Sequence, residues 1–121
     1  MKDKLNLESA FARIDEHWSP RLAAELNGQH VRLAKLQGEF VWHAHDGEDE
    51  LFWVVRGSLR LELRDRSVTL EPGELFVVPR GVEHKPVADD ECWVVLFEPA
   101  ETVNTGNVRN ERTRDATPGL D

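Results

Sequence analysis

The chain carries a single cysteine, Cys92, in 121 residues, so no internal disulfide can staple it. Cys92 sits in the apolar segment ECWVVLF, with nothing nearby to lower its pKa. That is the setting of a small buried hydrophobe rather than of a reactive thiol. Long apolar runs are absent too: none approaches the roughly 20 residues that a spanning helix needs. The opening stretch MKDKLNLESAFARIDEHW intersperses charges and lacks the apolar core of a secretory signal, so the expected location is the cytoplasm. Basic charge is in short supply, with 15 Lys and Arg against 23 Asp and Glu, a formal net charge of −8. Without a basic stripe to attract phosphates, nucleic acid and anionic membrane are discarded as partners. Neither a Ser-His-Asp arrangement, a phosphate-cradling glycine loop nor a CxxC pair occurs. No internal repeat and no low-complexity tract divides the chain, which suits a single domain.

What is present is mostly strand signal. Residues 1–20 form a lead-in, a short helix or irregular segment, in which Leu7, Phe11 and Ile14 fall near helical spacing before Ser19-Pro20 ends the pattern. Beyond it, RLAAEL and QHVRLAKL flank Asn27-Gly28, a strong short-range hairpin signal. EFVWHAH and ELFWVVRGSLRLELRD follow, with a tight turn expected at Gly57-Ser58. Leu59, Leu61 and Leu63 alternate with Arg60, Glu62 and Arg64, the period of a strand with one face buried. SVTLEPGELFVVP adds a strand, a Pro72-Gly73 turn and another strand, and VEHKPV and ECWVVLFEP supply two more. Eight or nine short strands with no βαβ alternation predict an all-β sandwich or barrel over 21–100. Residues 101–121 read as a polar tail with a mobile end.

Of the five histidines, three are placed where chemistry can use them. His43 and His45 lie two apart in a strand-like run, which puts both imidazoles on one face. Glu50 closes the acidic loop DGEDE and opens the apolar run LFWVV, so it is the carboxylate of that cluster placed to point inward. A carboxylate facing apolar walls needs a partner, and a cation serves. His84 arrives after Gly73, Pro79 and Gly81 have turned the chain back. Three neutral imidazoles and one carboxylate suit one divalent ion of iron, manganese, nickel, copper, zinc or cobalt. His17 and His30 stand apart; His17 is expected to pack on Trp18 and His30 to be solvated.

Two stretches together resemble the paired motifs of the cupins. The first runs Gly38, EFVW, His43-Ala44-His45, DGED, Glu50, LFWVVR, Gly57, and the second Gly73, ELFVV, Pro79-Arg80-Gly81, VE, His84, KPV, Ala88. The spacer after Gly38 is one residue short of the usual pattern, and Ala88 stands where the family often has Asn; neither touches a candidate ligand. The resemblance implies a single-domain jelly-roll β-barrel, a metal held by His43, His45, Glu50 and His84, and a homodimer.

Four protein ligands leave room on an ion that favours five or six, the mark of a working site rather than a sealed one. A divalent cation with one carboxylate leaves a charge of about +1, suited to stabilising an enolate, alkoxide or bound carboxylate. If Glu50 points inward, Phe52 and Val54 do as well, and Pro86 shares the side of His84. In ECWVVLF either Cys92, Val94 and Leu96 or Trp93, Val95 and Phe97 face the site, and alternation alone leaves both open. Arg80, Lys85, Glu48 and Glu83 are expected near the mouth but in solvent. The expectation is a metal-dependent enzyme acting on a small organic substrate, of oxidoreductase (dioxygenase-like) or isomerase/lyase type. The alternatives are a non-catalytic ligand-binding or sensor module, or a scaffold with a structural ion.

Overall fold

The computed structural model describes residues 3–120. The outermost positions of the expected lead-in and tail, 1–2 and 121, lie outside the described residues. One short helix, α1 (Leu7–Ala12), precedes seven strands: β1 (Arg21–Leu26), β2 (Gln29–Glu39), β3 (Glu50–Arg56), β4 (Leu59–Leu63), β5 (Ser67–Leu70), β6 (Leu75–Val78) and β7 (His84–Pro99). Asn6 caps α1 by accepting a hydrogen bond from the Ser9 N–H. All strand pairs are antiparallel, in the order β1-β2-β7-β3-β6, with β4 on the early part of β7 and β5 beyond it. The chain is an all-β barrel, and among the described residues no helix is long and apolar enough to cross a membrane.

The strand count is lower than the eight or nine expected, for two physical reasons. VEHKPV and ECWVVLFEP are one strand, because Asp89, Asp90 and Glu91 bulge outward without breaking it. The register slip between Leu36 and Gly38 on β2, facing Cys92 and Ala88, marks that bulge. EFVWHAH, in turn, is not a regular strand beyond Glu39. It touches β7 through the Phe40 N–H to the Pro86 carbonyl and a single reciprocal bridge between His43 and His84.

Alternation sorts the side chains into two cores. Inside the barrel lie Ala34, Leu36, Phe52, Val54, Leu59, Leu61, Cys92, Val94 and Leu96. Outside, Phe11 and Ile14 of the lead-in cover Leu33, Trp93 and Val95, with Phe11 stacked on Trp93 at 4.9 Å. The open choice in ECWVVLF is thereby settled: Cys92, Val94 and Leu96 face the interior. Burial pushes the Cys92 thiol up to about 12. The hairpin predicted at Asn27-Gly28 joins β1 to β2, and Gly57 turns β3 into β4. Gly57 has φ +83, and a Cβ there would lie 2.7 Å from the Glu91 carbonyl oxygen, so a side chain is barred on both counts.

The described part of the tail, residues 101–120, is tied down at several points. The Leu22 N–H donates to the Pro118 carbonyl, Arg112 donates from Nη1 to the Glu39 carbonyl, and the Asn107 N–H donates to the Ala44 carbonyl. Backbone donors and acceptors that the barrel leaves open along its rim give the tail, expected to have few anchors, its partners.

Candidate metal centre

His43, His45, Glu50 and His84 converge inside the barrel. One potential ligand atom from each lies within 4.8 Å of all the others, and all four residues are buried. Glu50 opens β3, where alternation points it inward with Phe52 and Val54. His84 opens β7 and is fully buried, sharing its face with Pro86. His43 reaches the same place through its bridge to His84, and the His45 carbonyl accepts from the Gly81 N–H at 2.8 Å. Their rings stand edge to face at 5.1 Å.

Hydrogen bonds behind the cluster fix which nitrogens face it. His43 Nδ1 donates to the Val41 carbonyl at 2.9 Å, and His84 Nδ1 donates to the Val82 carbonyl at 3.0 Å. Each ring therefore keeps its proton on Nδ1 and turns an Nε2 lone pair to the centre, the tautomer a metal ligand requires. Glu50 Oε1 lies 3.2 Å from His45 Nε2 and 3.5 Å from His84 Nε2. Those three atoms are buried without a hydrogen-bond partner. Orphaned buried donors and acceptors are rare, and three pointing at one spot fit an ion that would satisfy them together.

Burial holds the His43 pKa down at about 4, helped by the charge of His84. For His45 burial acts downward as well, but the adjoining Glu50 carboxylate, with Glu48 behind it, outweighs it and raises the pKa. Burial would raise Glu50; the close approach of Glu98, His45 and His84 instead holds it well below the usual carboxylate range. Neutral imidazole beside anionic carboxylate is a ligating state.

His43 and Glu50 border a cavity of about 40 Å³, walled by Trp18, Leu36, Phe40, Phe52 and Leu96. That is room for a few waters or the reacting end of a small molecule. Trp18 adopts φ 59, uncommon for so large a side chain, and stacks on Phe40 at 4.8 Å while its Nε1 donates to the Gln37 carbonyl.

Glu98 was not among the expected site residues, yet it lines the cavity. It is 1% exposed, with one oxygen 2.9 Å from Arg32 Nη1 and the other without a partner. Burial, then the charge of Glu50, raises its pKa well above the ordinary value. Arg32 is held further by the carbonyls of Thr102 and Ala100 and by His30 Nδ1. His30 is thus half-buried against Arg32 rather than solvated, and Arg32 itself was missed. Period-2 counting back from Glu98 through Leu96 and Val94 would have found the glutamate once the interior face was known. His17, expected on Trp18, instead pairs with Glu91 at 2.9 Å, because the left-handed Trp18 turns its ring away into the barrel. Arg80 pairs with Asp49, Lys85 with Glu39 and Glu62, and Glu83 with Arg64, all away from the cavity. Glu48 is half-exposed, 3.9 Å from His45 Nδ1.

Comparison with known proteins agrees with this fold. Residues 29–97 match the Cupin domain family model. The chain is 31% identical over 86 residues to the YdbB protein of Bacillus subtilis, covering 70% of this chain and 76% of that one. A crystal structure of a cupin-2 domain containing protein from Shewanella frigidimarina superposes with a TM-score of 0.77 at 46% identity, over 78% of this chain and 93% of the other. A more partial likeness, 33% over 66 residues, is to an acireductone dioxygenase of Puccinia graminis; it spans 50% of this chain and 36% of that protein.

Proposed function

The chain belongs to the cupin family, and from that premise we propose that it is a metal-dependent enzyme of oxidoreductase type acting on a small organic substrate. The observation that carries this reading is the buried four-donor cluster, with orphaned nitrogen and carboxylate atoms, at the wall of an apolar cavity. His43, His45, Glu50 and His84 would hold one divalent transition ion. Such an ion supplies a Lewis-acid centre and, when redox-active, access to dioxygen chemistry.

The chain's own residues prepare the rest. The Val41 and Val82 carbonyls lock two imidazoles so that no ring has to turn on loading. Phe52, Leu36 and Leu96 exclude water, which strengthens every electrostatic interaction inside. Glu98 Oε2 is the polar handle of an otherwise apolar wall and would orient a hydroxyl or amine of the substrate. The partial likeness to a dioxygenase supports the oxidoreductase class, while the substrate class rests on the size and polarity of the cavity alone. The homodimer implied by the family resemblance belongs to the same proposal and is read by sedimentation velocity.

The test is metal analysis of protein purified without a histidine tag, then oxygen uptake with a panel of small organic substrates. The Fe(II), Mn(II), Cu(II) and Ni(II) forms would be compared. About one ion per chain and metal-dependent oxygen uptake are expected. Native Zn(II) with no oxygen consumption by any form overturns the oxidoreductase reading, and turnover without oxygen moves it to isomerase or lyase chemistry.

A further inference from the structure

We infer that the C-terminal segment is a working part of the metal centre, with Asn107 as the positioning residue that sets His43 and His45 relative to each other. The inference rests on the metal reading above and adds a residue far from either motif. His43 and His45 belong to no regular strand, so no ladder sets the peptide between them. Three successive residues are instead held by three separate partners. The His43 N–H and carbonyl exchange hydrogen bonds with His84 at 3.0 and 2.9 Å, and the His45 carbonyl accepts from the Gly81 N–H. Ala44, in the middle and 3% exposed, has both backbone groups on Asn107: its N–H donates to Oδ1 at 3.0 Å, and its carbonyl accepts from the Asn107 N–H at 2.9 Å.

Losing the Oδ1 acceptor would leave the buried Ala44 N–H without its partner and the peptide between His43 and Ala44 held only through the His43 carbonyl. A loosened peptide there shifts His43 relative to His45, and a metal site tolerates little displacement of its donors. The close approach is built into the segment. Gly106 has φ +55, and a Cβ at that position would run into the Ala44 carbonyl and crowd His43 Cδ2. The segment is braced from its far side as well. Asn104 donates from Nδ2 to the Arg112 carbonyl and accepts from the Arg114 N–H, and the buried Thr105 hydroxyl bonds that of Thr113 at 2.7 Å. Arg112 then lies over the Trp18 and Phe40 rings at 5.5 and 5.7 Å.

The test is a Co(II) titration of metal-free full-length protein, followed by the visible absorption of the bound ion and paired with the melting temperature of the metal-free form. Asn107→Ala is expected to weaken Co(II) about 10-fold or more and to shift the absorption band, the scale on which residues behind a ligand act. Asn107→Asp keeps the acceptor oxygen and should restore affinity to within about 3-fold of the parent. Arg112→Ala removes the side-chain contacts with the Glu39 carbonyl and the Trp18 and Phe40 rings without touching Ala44, and should change affinity less than about 2-fold. Unchanged Co(II) affinity and spectrum in Asn107→Ala overturn the inference. Equal weakening by Asn107→Ala and Arg112→Ala, or failure of Asn107→Ala to fold, also overturns it, since either makes the segment a general structural element. Parent protein that takes up no Co(II) removes the metal reading, and this inference falls with it.

Discussion

Two buried polar groups share the barrel interior and solve the problem of burial in opposite ways. Arg32 and Glu98 form a pair 2.9 Å apart, 2% and 1% exposed, and the guanidinium spends its remaining donors on two carbonyls and His30. Its charge is matched by protein alone. Along the same wall, His43, His45, Glu50 and His84 face one another with lone pairs and a carboxylate, and among the described residues no Lys or Arg hydrogen-bonds to them. A buried charge survives only when paired, so Arg32 is satisfied as folded, with Glu98 Oε2 left over, whereas the second group is built around something to be added. Proximity makes the contrast sharper, because Glu98 interacts with Glu50 and so belongs to both.

The largest expected effect attacks the incomplete group. His45→Ala or His84→Ala should abolish stoichiometric metal binding by equilibrium dialysis, and a chelator should then no longer lower the melting temperature. Unchanged affinity in either variant would show that the cluster is not the site. Next comes the Arg32–Glu98 pair. Arg32→Met leaves Glu98 buried without its cation and should destabilise the fold by about 3–5 kcal/mol in urea unfolding. Arg32→Met with Glu98→Leu replaces the whole pair by apolar side chains and should recover most of that loss. A double variant as unstable as the single would mean that the pair is not self-contained.

Acid should distinguish the groups further. The unfolded chain protonates His43 near 6.5, whereas the folded chain resists until about 4. Between those values the unfolded state binds more protons, so the stability of metal-free protein falls as pH is lowered through the window. At ~1.4 kcal/mol per unit the His43 contribution reaches about 3 kcal/mol, reduced by His45, whose raised pKa acts in the opposite direction. Metal-free protein whose stability is flat from pH 7 to 4 would contradict the assignment of His43 as a buried neutral imidazole. The smallest effect belongs to an exposed pair. His17→Ala breaks the contact with Glu91 and should shift stability by less than about 0.5 kcal/mol in the same unfolding assay.

Glu50 was legible in the sequence because it begins a strand, where a period of two fixes the face from its neighbours alone, and His84 because the second cupin-like motif picks it out. Phe52 and Val54 followed from Glu50 in the same way. His43 and His45 were found through spacing although they do not occupy the strand that spacing suggested; each backbone is held by one cross-chain partner instead. Glu98 and Arg32 stayed hidden because the face of β7 depends on which side α1 covers, a contact between residues some eighty positions apart such as Phe11 and Trp93. The tail was illegible for a related reason. Its anchors are Asn, Thr and Arg side chains bonding backbone groups of distant segments, and polar residues that bond out of sequence look the same as polar residues in water.

The buried Cys92 gives the fold its own reporter. Its sulfur sits at 0% exposure in the middle of β7, the strand that carries His84 at one end and Glu98 near the other. A thiol-specific reagent can reach it only when that central strand leaves its neighbours, an opening that demands close to the full free energy of unfolding. The rate of labelling at one atom therefore reads the integrity of the wall that holds the site, with no probe added to the protein. A ligand or ion that tightens the barrel registers as slower labelling, whatever it does to turnover.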